Sequence, residues 1–479
     1  MMRLANCLIG GIERPAINGG TFPVYAPDSQ QQIGQAAKGQ ADDIKAAVAV
    51  GRAGFESWSG LAVGERERIL LRAADIFESE GKNRFESLLI DESGSTIAKA
   101  GYEINYTPSL FRTAAGEARR LYGDTFPNDN PARLSFVLRE PLGVVGVISP
   151  YNAPLALLAK MVAFPLAAGN TVVIKPSEET PFIACEFAKI LLEAGLPPNA
   201  ISVVPGLGAE AGASLVSHKD VDSIALTGST ATGVHIGAQG MANMKRMQLE
   251  LGGKNALIVF ADFDVDEAAQ IAADGIFVHA GQICMANSRI IVEAEIYDEF
   301  LAAFKAKAES LSLGNLRDPK TAYGPLINQR AVDKVQDQIA KAVNAGAKIV
   351  TGGKIVRGLT LAPTILTDVP RDSAAWCEES FGPVANVVPA KDFDDAIKIA
   401  NDSVYGLSAG VLTCDVTKGF LAARRIKVGS VHIGMHPFQS NALAPIGGYK
   451  MSGIGKSGGH FSTHEFTNLK WISLETGQP

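Results

Sequence analysis

The chain has 479 residues, 47% of them hydrophobic and 20% charged, which is ample apolar material for a buried core and excludes disorder as its main state. A net charge of -6 argues against nucleic-acid or anionic-membrane partners, since either favours a basic face. Cysteines at positions 7, 185, 284, 377 and 414 are odd in number and unclustered, which argues against a disulfide framework or a metal site and fits a reducing cytoplasm.

The length suggests two or three domains. The opening stretch, MMRLANCLIGGIERP, holds an apolar run too short for a secretion signal, with Glu13 and Arg14 where cleavage would fall, so no export is expected. Residues 42–93 read as all-helical with a break at Gly60, ahead of the first core strand. The turn-rich NDNP at 128–131 divides 119–125 from 133–138, and a hairpin with both flanks extended would project from the main sheet. Strands are expected at 144–149, 171–175, 201–204, 222–227, 255–260 and 289–292, with helices such as 180–194 and 266–280 between them. Short β-branched runs alternating with amphipathic ones indicate parallel strands joined by crossover helices, a doubly wound α/β fold. The longest uncharged run, 141–159, contains Pro141, Pro150, Asn152 and Pro154, which a membrane helix would not tolerate. The tail at 465–474 alternates apolar and polar residues like a strand in need of a sheet, so a third, small β module is expected.

Four features carry candidate chemistry. Cys284, in HAGQICMANSR, sits between a helix and a strand, where local dipoles or water access would lower a thiol pKa; a buried structural cysteine is the alternative. Glu250, in QLELGGKNALIVF, is a carboxylate on an apolar strand and a candidate general base, the alternative being an ion pair to Lys254 or a capped turn. Two glycine-rich strand-to-helix turns, VVPGLGAEAG and LTGSTATG, present backbone N–H groups suited to phosphate or are ordinary turns. Lys175 and Glu178 fall at the carboxyl edge of the sheet, where they would bracket ribose hydroxyls or form an exposed ion pair.

In this order, over nearly the whole chain, these motifs resemble the aldehyde dehydrogenase superfamily. PYNAP at 150–154 is similar to the family's PWNxP, GSTATG to its GxTxxG turn, ELGGK to its general-base motif, and GQICMANSR to its nucleophile loop. EESFGPV at 378–384 and NDSVYGLSAGV at 401–411 match later blocks, and Glu250 lies 34 residues before Cys284, as in the family pattern. The resemblance implies Cys284 as nucleophile, Glu250 as the base that activates water, and Asn152 as side-chain donor to the oxyanion, with the Cys284 N–H as second donor. It further implies Lys175 and Glu178 at the adenosine ribose, Gly228 and Ser229 at the pyrophosphate, Glu379 at the nicotinamide ribose and Phe381 beside the nicotinamide. A thiohemiacetal would lose hydride to the cofactor, and the thioester left behind would be hydrolysed to the acid. Glu178 disfavours a 2'-phosphate by repulsion, so NAD is preferred and NADP remains open.

Two departures stand out. Tyr151 replaces the family's usual Trp, and Met161 stands where many members have a Lys, with Lys160 one position earlier, which questions a lysine-assisted relay. PxNAP, GQICM and EFTNLKWISLETG resemble the vanillin, benzaldehyde and salicylaldehyde dehydrogenase branch more than the betaine or lactaldehyde branches, so the expected substrate is an aromatic aldehyde, with aliphatic or hydroxy-aldehydes as alternatives. Phe111, Tyr106, Met161, His279, Met285 and Phe438 are candidate pocket residues, and no metal is expected at His432 and His436. The resemblance implies a Rossmann-type cofactor domain at 1–117 and 141–251, a catalytic domain at 252–444, and an oligomerisation hairpin and tail at 118–140 and 461–479. A tail strand lent to a neighbour would give a cytoplasmic homodimer or homotetramer. Rival readings are a CoA-acylating dehydrogenase, which Glu250 argues against, and a non-catalytic binding protein of the same fold.

Overall fold

In the computed structural model, which describes residues 3–476, the expected helical run divides into α1 (Ala41–Ser59) and α2 (Val63–Ser93). Gly60 caps the first, and Gly94 closes the second in the left-handed conformation that glycine adopts without strain. Helix α3 (Ile97–Ala118) packs along α2, with Phe77 and Phe111 stacked at 5.1 Å.

The largest sheet runs Gly453–Ile454, Arg246–Glu250, Ser223–Thr227, Val144–Ile148, Thr171–Lys175, Ile201–Val203, Cys7–Ile9, Ile12–Arg14. Its middle five strands are parallel. Between them the chain passes through α4 (Ala156–Ala167), α5 (Pro181–Glu193), α6 (Ala213–Ser217) and α7 (Thr230–Met241). Val145 and Val147 face the core shared with α2 to α5, whereas Val144 and Ile148 face the core shared with α1 and α6. Burial on both faces explains why the strand is uniformly apolar. The order of winding reverses between Val144–Ile148 and Ser223–Thr227, which leaves a crevice beyond their carboxyl ends. Cys7–Ile9 pairs antiparallel with Ile201–Val203, so the helical region does not precede the first strand of the core, contrary to expectation.

A second sheet of seven strands carries its own core. Its centre is Arg289–Glu293 beside Ala256–Val259, and every strand is parallel except the edge strand Lys348–Thr351. Helix α8 (Val265–Phe277) ends earlier than expected, because His279 and Ala280 turn to left-handed backbone.

The tail strand Thr467–Glu475 lies antiparallel to Arg133–Pro141, from Thr467 opposite Pro141 to Glu475 opposite Arg133, and Thr125–Phe126 completes this small sheet. The tail thus finds its partner within the chain, and the last residues assigned to it, 477–479, lie outside the described ones, as do residues 1 and 2 of the expected cofactor domain. The first flank of the hairpin is shorter than expected. Residues 119–124 form no ladder, although the Val137 N–H still donates to the Asp124 carbonyl at 2.9 Å and Gly123 passes so close to the Val137 carbonyl that a Cβ would sit 1.8 Å from it. A three-stranded N-terminal sheet, Arg3–Ala5, Gln32–Ala37 and Thr21–Tyr25, was not foreseen. Among the described residues no helix is long and apolar enough to cross a membrane.

Candidate active site

The crevice at the winding reversal is a cleft of about 990 Å³. Asn152, Lys175, Glu178, Gly228, Ser229, Cys284, Glu379 and Phe381 all line it. Glu250 does not, but it ends the neighbouring strand opposite Thr227, and its carbonyl accepts the Gly228 N–H at 3.1 Å.

At one end, Lys175 Nζ is 3.2 Å from Glu178 Oε2, and the Gly208 N–H donates to Glu178 Oε1 at 2.9 Å. Burial by itself would raise the Glu178 carboxyl, but Lys175 and the backbone N–H groups outweigh it and hold the pKa below the usual value. Both glycine-rich turns therefore meet here. Ser229 caps α7 and accepts the Thr232 N–H at 3.2 Å, leaving the first N–H groups of that helix facing the cleft. Nearer the middle, Glu379 Oε1 accepts the Gly253 N–H at 3.1 Å, and burial pushes its carboxyl up to about 7. A Cβ on Gly252 would lie 2.4 Å from that carboxylate, so the ELGGK glycine is there for close approach. Phe381 takes a φ of +53° and meets Tyr151 edge-on at 6.0 Å.

The nucleophile loop is strained. His279 and Ala280 have φ of 50° and 55°, each costing on the order of 1–3 kcal/mol for a residue with a Cβ. Asn255 clamps the loop, its amide donating to the Cys284 carbonyl at 2.8 Å and to that of Ala286 at 3.0 Å. The thiol of Cys284 is not lowered, as a loop position had suggested. Burial first, and then the charges of Glu379 and Glu250, push it up to about 12, against the opposing pull of Lys160. Both carboxylates are thus within electrostatic reach of the sulfur.

Asn152 is buried and donates from Nδ2 to the Gln282 carbonyl at 2.8 Å. Gln282 is itself fixed: its amide donates to the carbonyls of His279 and Pro325, and its oxygen accepts the Ile327 N–H at 2.9 Å. One N–H of the Asn152 amide is spent on this contact, which leaves the other to a ligand. Glu250 Oε1 is buried with no hydrogen-bond partner, and Lys160 Nζ is 3.9 Å away. The ion pair to Lys254 does not form; Lys254 donates to Ser380 Oγ at 3.0 Å, and burial pushes its pKa down to about 7. The shift of one position therefore still places a lysine beside the carboxylate. Burial lowers the pKa of Lys160, while Glu250 and Cys284 resist that shift.

A chain of aromatic rings starts at Tyr106, within electrostatic reach of Glu250. Tyr102 stacks on Tyr106 at 5.9 Å and meets Phe438 at 6.3 Å, and His436 stacks on Phe438 at 6.1 Å. The Tyr106 hydroxyl is buried without a partner, and Glu250 helps to raise its pKa, behind burial and Tyr102. Phe111, taken as a pocket candidate, instead packs between Phe77 and Phe187 in the helical core. Met161 is buried with its sulfur 3.5 Å from the Thr227 hydroxyl, Met285 is buried, and His279 is buried with both ring nitrogens unpartnered. Sequence reading passed over Gln282, Asn255, Lys99 and Glu103. Only an i, i+4 charge pair signalled the last two, and that spacing also describes an ordinary solvated helix face.

Fold and site together define an α/β oxidoreductase with a cysteine lining a nucleotide-type cleft. The chain belongs to the aldehyde dehydrogenase family, NAD(P)-dependent enzymes of aldehyde oxidation: the model of the "Aldehyde dehydrogenase family" matches residues 15–472. Aldehyde dehydrogenase 1A1 of Homo sapiens is 38% identical over 475 residues, covering 97% of this chain and 93% of that protein. A solved NADP-dependent enzyme of E. coli is 34% identical, with a TM-score of 0.96 and 98% of each chain covered. Betaine aldehyde dehydrogenase of Staphylococcus aureus, solved with NAD+, is 33% identical with a TM-score of 0.97, covering 99% of this chain and 96% of that one.

Proposed function

We propose that the protein oxidises an aldehyde to the carboxylic acid through a thioester on Cys284. The observation that carries this reading is the Cys284 sulfur lining the same cleft as Asn152, within electrostatic reach of Glu250 and Glu379. A thiol raised to about 12 is almost wholly protonated at neutral pH, so its proton must pass to water in the cleft as the sulfur attacks, which leaves Glu250 unprotonated for the later hydrolysis. The free N–H of Asn152 and the Cys284 N–H meet the oxygen on which charge develops. Once the acyl group is on sulfur, Glu250 takes a proton from the water that hydrolyses it. When bound, the nicotinamide cofactor supplies the hydride acceptor.

The residues fit that cofactor. The N-terminus of α7 and Gly228 suit a pyrophosphate, Lys175 and Glu178 the adenosine ribose, Glu379 the second ribose, and Phe381 the nicotinamide face. Glu178, held anionic, opposes a 2'-phosphate, so NAD is the preferred form and NADP a poorer one. An aromatic aldehyde is the proposed substrate class, supported by the ring of Tyr106 within electrostatic reach of Glu250 and by Tyr102 and Phe438 packed in series behind it.

We also propose the division into a cofactor domain at 1–117 and 141–251, a catalytic domain at 252–444 and an oligomerisation module at 118–140 and 461–479. In its support, the seven-stranded sheet draws only on 256–433. The tail exposes Leu469, Trp471 and Leu474, and α7 exposes Val234 and Met241, which favours a homodimer or a dimer of dimers. Product analysis with benzaldehyde tests the reaction: acid formed at full rate without CoA is expected, and an acyl product formed only with CoA overturns hydrolysis.

A further inference from the structure

The turn that carries Asn152 is held from below by two buried charges of α3. Helix α4 begins without a cap of its own, its N-cap residue Leu155 offering no side-chain acceptor. Glu103, 1% exposed, fills that role from the neighbouring helix, its Oε2 accepting the N–H groups of Leu155 and Ala156, both at 3.0 Å. The other oxygen, Oε1, accepts from Lys99 Nζ at 2.5 Å, and the same ammonium donates to the Asn152 carbonyl at 2.5 Å. The turn is therefore gripped at Asn152 and again where α4 starts, while the Asn152 side chain is gripped from the opposite side by Gln282.

We propose that Lys99 and Glu103 are positioning residues for the oxyanion donor: their ion pair fixes the backbone of 152–156, so that the free amide N–H of Asn152 is aimed where negative charge develops. Neither touches the reacting atoms. The inference rests on the reading of Asn152 as that donor. A buried pair with every oxygen and at least two ammonium hydrogens engaged is rigid, and removing one partner leaves the other charge uncompensated. His279, buried beside Lys99, does not compensate it, since burial first and then Lys99 itself keep the imidazole neutral.

A double-mutant cycle on the full-length protein tests this, reading the pre-steady-state burst of NADH with saturating NAD and benzaldehyde, per NAD-binding site. Lys99→Met is expected to slow the burst about tenfold to a hundredfold while NAD binding holds. Added to Asn152→Ala, it should cost less than about twofold more, because Lys99 acts through Asn152. Lys99→Arg, which keeps charge and donors, should recover part of the rate. A burst in Lys99→Met equal to the parent's, a loss confined to thermal stability, or losses that multiply in the double variant each overturn the proposal. If Lys99→Met does not fold, Lys99→Gln, which keeps a donor without the charge, enters the same cycle and is judged by the same comparison. A full burst in Asn152→Ala instead sinks the reading of Asn152 itself, which separates the two failures.

Discussion

The carboxyl edge of the large sheet and the nucleophile loop of the smaller one face each other across the cleft, and they are built differently. Lys175, Gly228 and Glu250 stand at or just past the ends of parallel strands, the first two wholly buried and the third buried at its centre, which fixes them. Cys284 sits on a loop that reverses through left-handed His279 and Ala280, held by the amides of Asn255 and Gln282. The sheet edge is precise because its strands are pinned on both sides. The loop reaches its place only because surrounding hydrogen bonds and packing outweigh its strain. Changes on the loop and in its chemical partners, Glu250 among them, should therefore alter rate, and changes at Lys175 and Glu178 should alter cofactor binding.

The largest contrast is at the sulfur. Cys284→Ala should abolish aldehyde oxidation, with NAD binding by fluorescence titration kept; persisting turnover contradicts the assignment. Glu250→Gln should preserve a burst of NADH but slow steady-state turnover by about 10²–10⁴-fold, the range of a lost general base. Full steady-state activity there would move the base elsewhere. Asn152→Ala should cost about 10²–10³ in the burst rate, as for one lost oxyanion donor, with KM for aldehyde changed far less. On the sheet edge, Glu178→Gln should shift the kcat/KM ratio toward NADP by about tenfold, corresponding to ~1.4 kcal/mol of relieved repulsion, and leave the acylation burst with NAD alone.

How much of this was readable from residues follows the same division. Two strand ends were legible: the largely apolar runs before Lys175 and Gly228 fix where side chains emerge, and Thr171–Lys175 appears with the expected bounds, whereas Arg246–Glu250, with Arg246 and Gln248 in it, was not among the expected strands. The loop was not. A helical pattern runs on to Ala280, and nothing local reveals that α8 stops at Phe277, since the turn is imposed by packing; a Cβ on Gly281 would sit 2.1 Å from the Gly382 carbonyl, a residue far along the chain. For the same reason the raised Cys284 pKa was missed, because it depends on burial and on Glu379, which only the fold brings near. Cys7–Ile9 was overlooked as a strand because three residues are too short to show a period. Lys99 and Glu103 were passed over because their i, i+4 spacing is that of any solvated helix face, and only the fold buries them against α4.

The smallest expected effect concerns charge around the thiol, and its sign follows from the neighbouring charges. Glu250 raises the Cys284 pKa and Lys160 lowers it. In the protein without cofactor, alkylation by iodoacetamide should accelerate with rising pH. At a fixed pH of about 8, below a thiol pKa of about 12, Glu250→Gln should speed it and Lys160→Met should slow it, each by less than about tenfold. Shifts in the same direction would break the electrostatic picture of the site.

Covalent capture tests the central claim most directly. Glu250→Gln, mixed with NAD and benzaldehyde and quenched in acid after the burst, should show by intact and peptide mass spectrometry one benzoyl group per subunit, on Cys284, matched by an equal amount of NADH. NADH formed without that adduct, or with the acyl group on another residue, would contradict the thioester pathway.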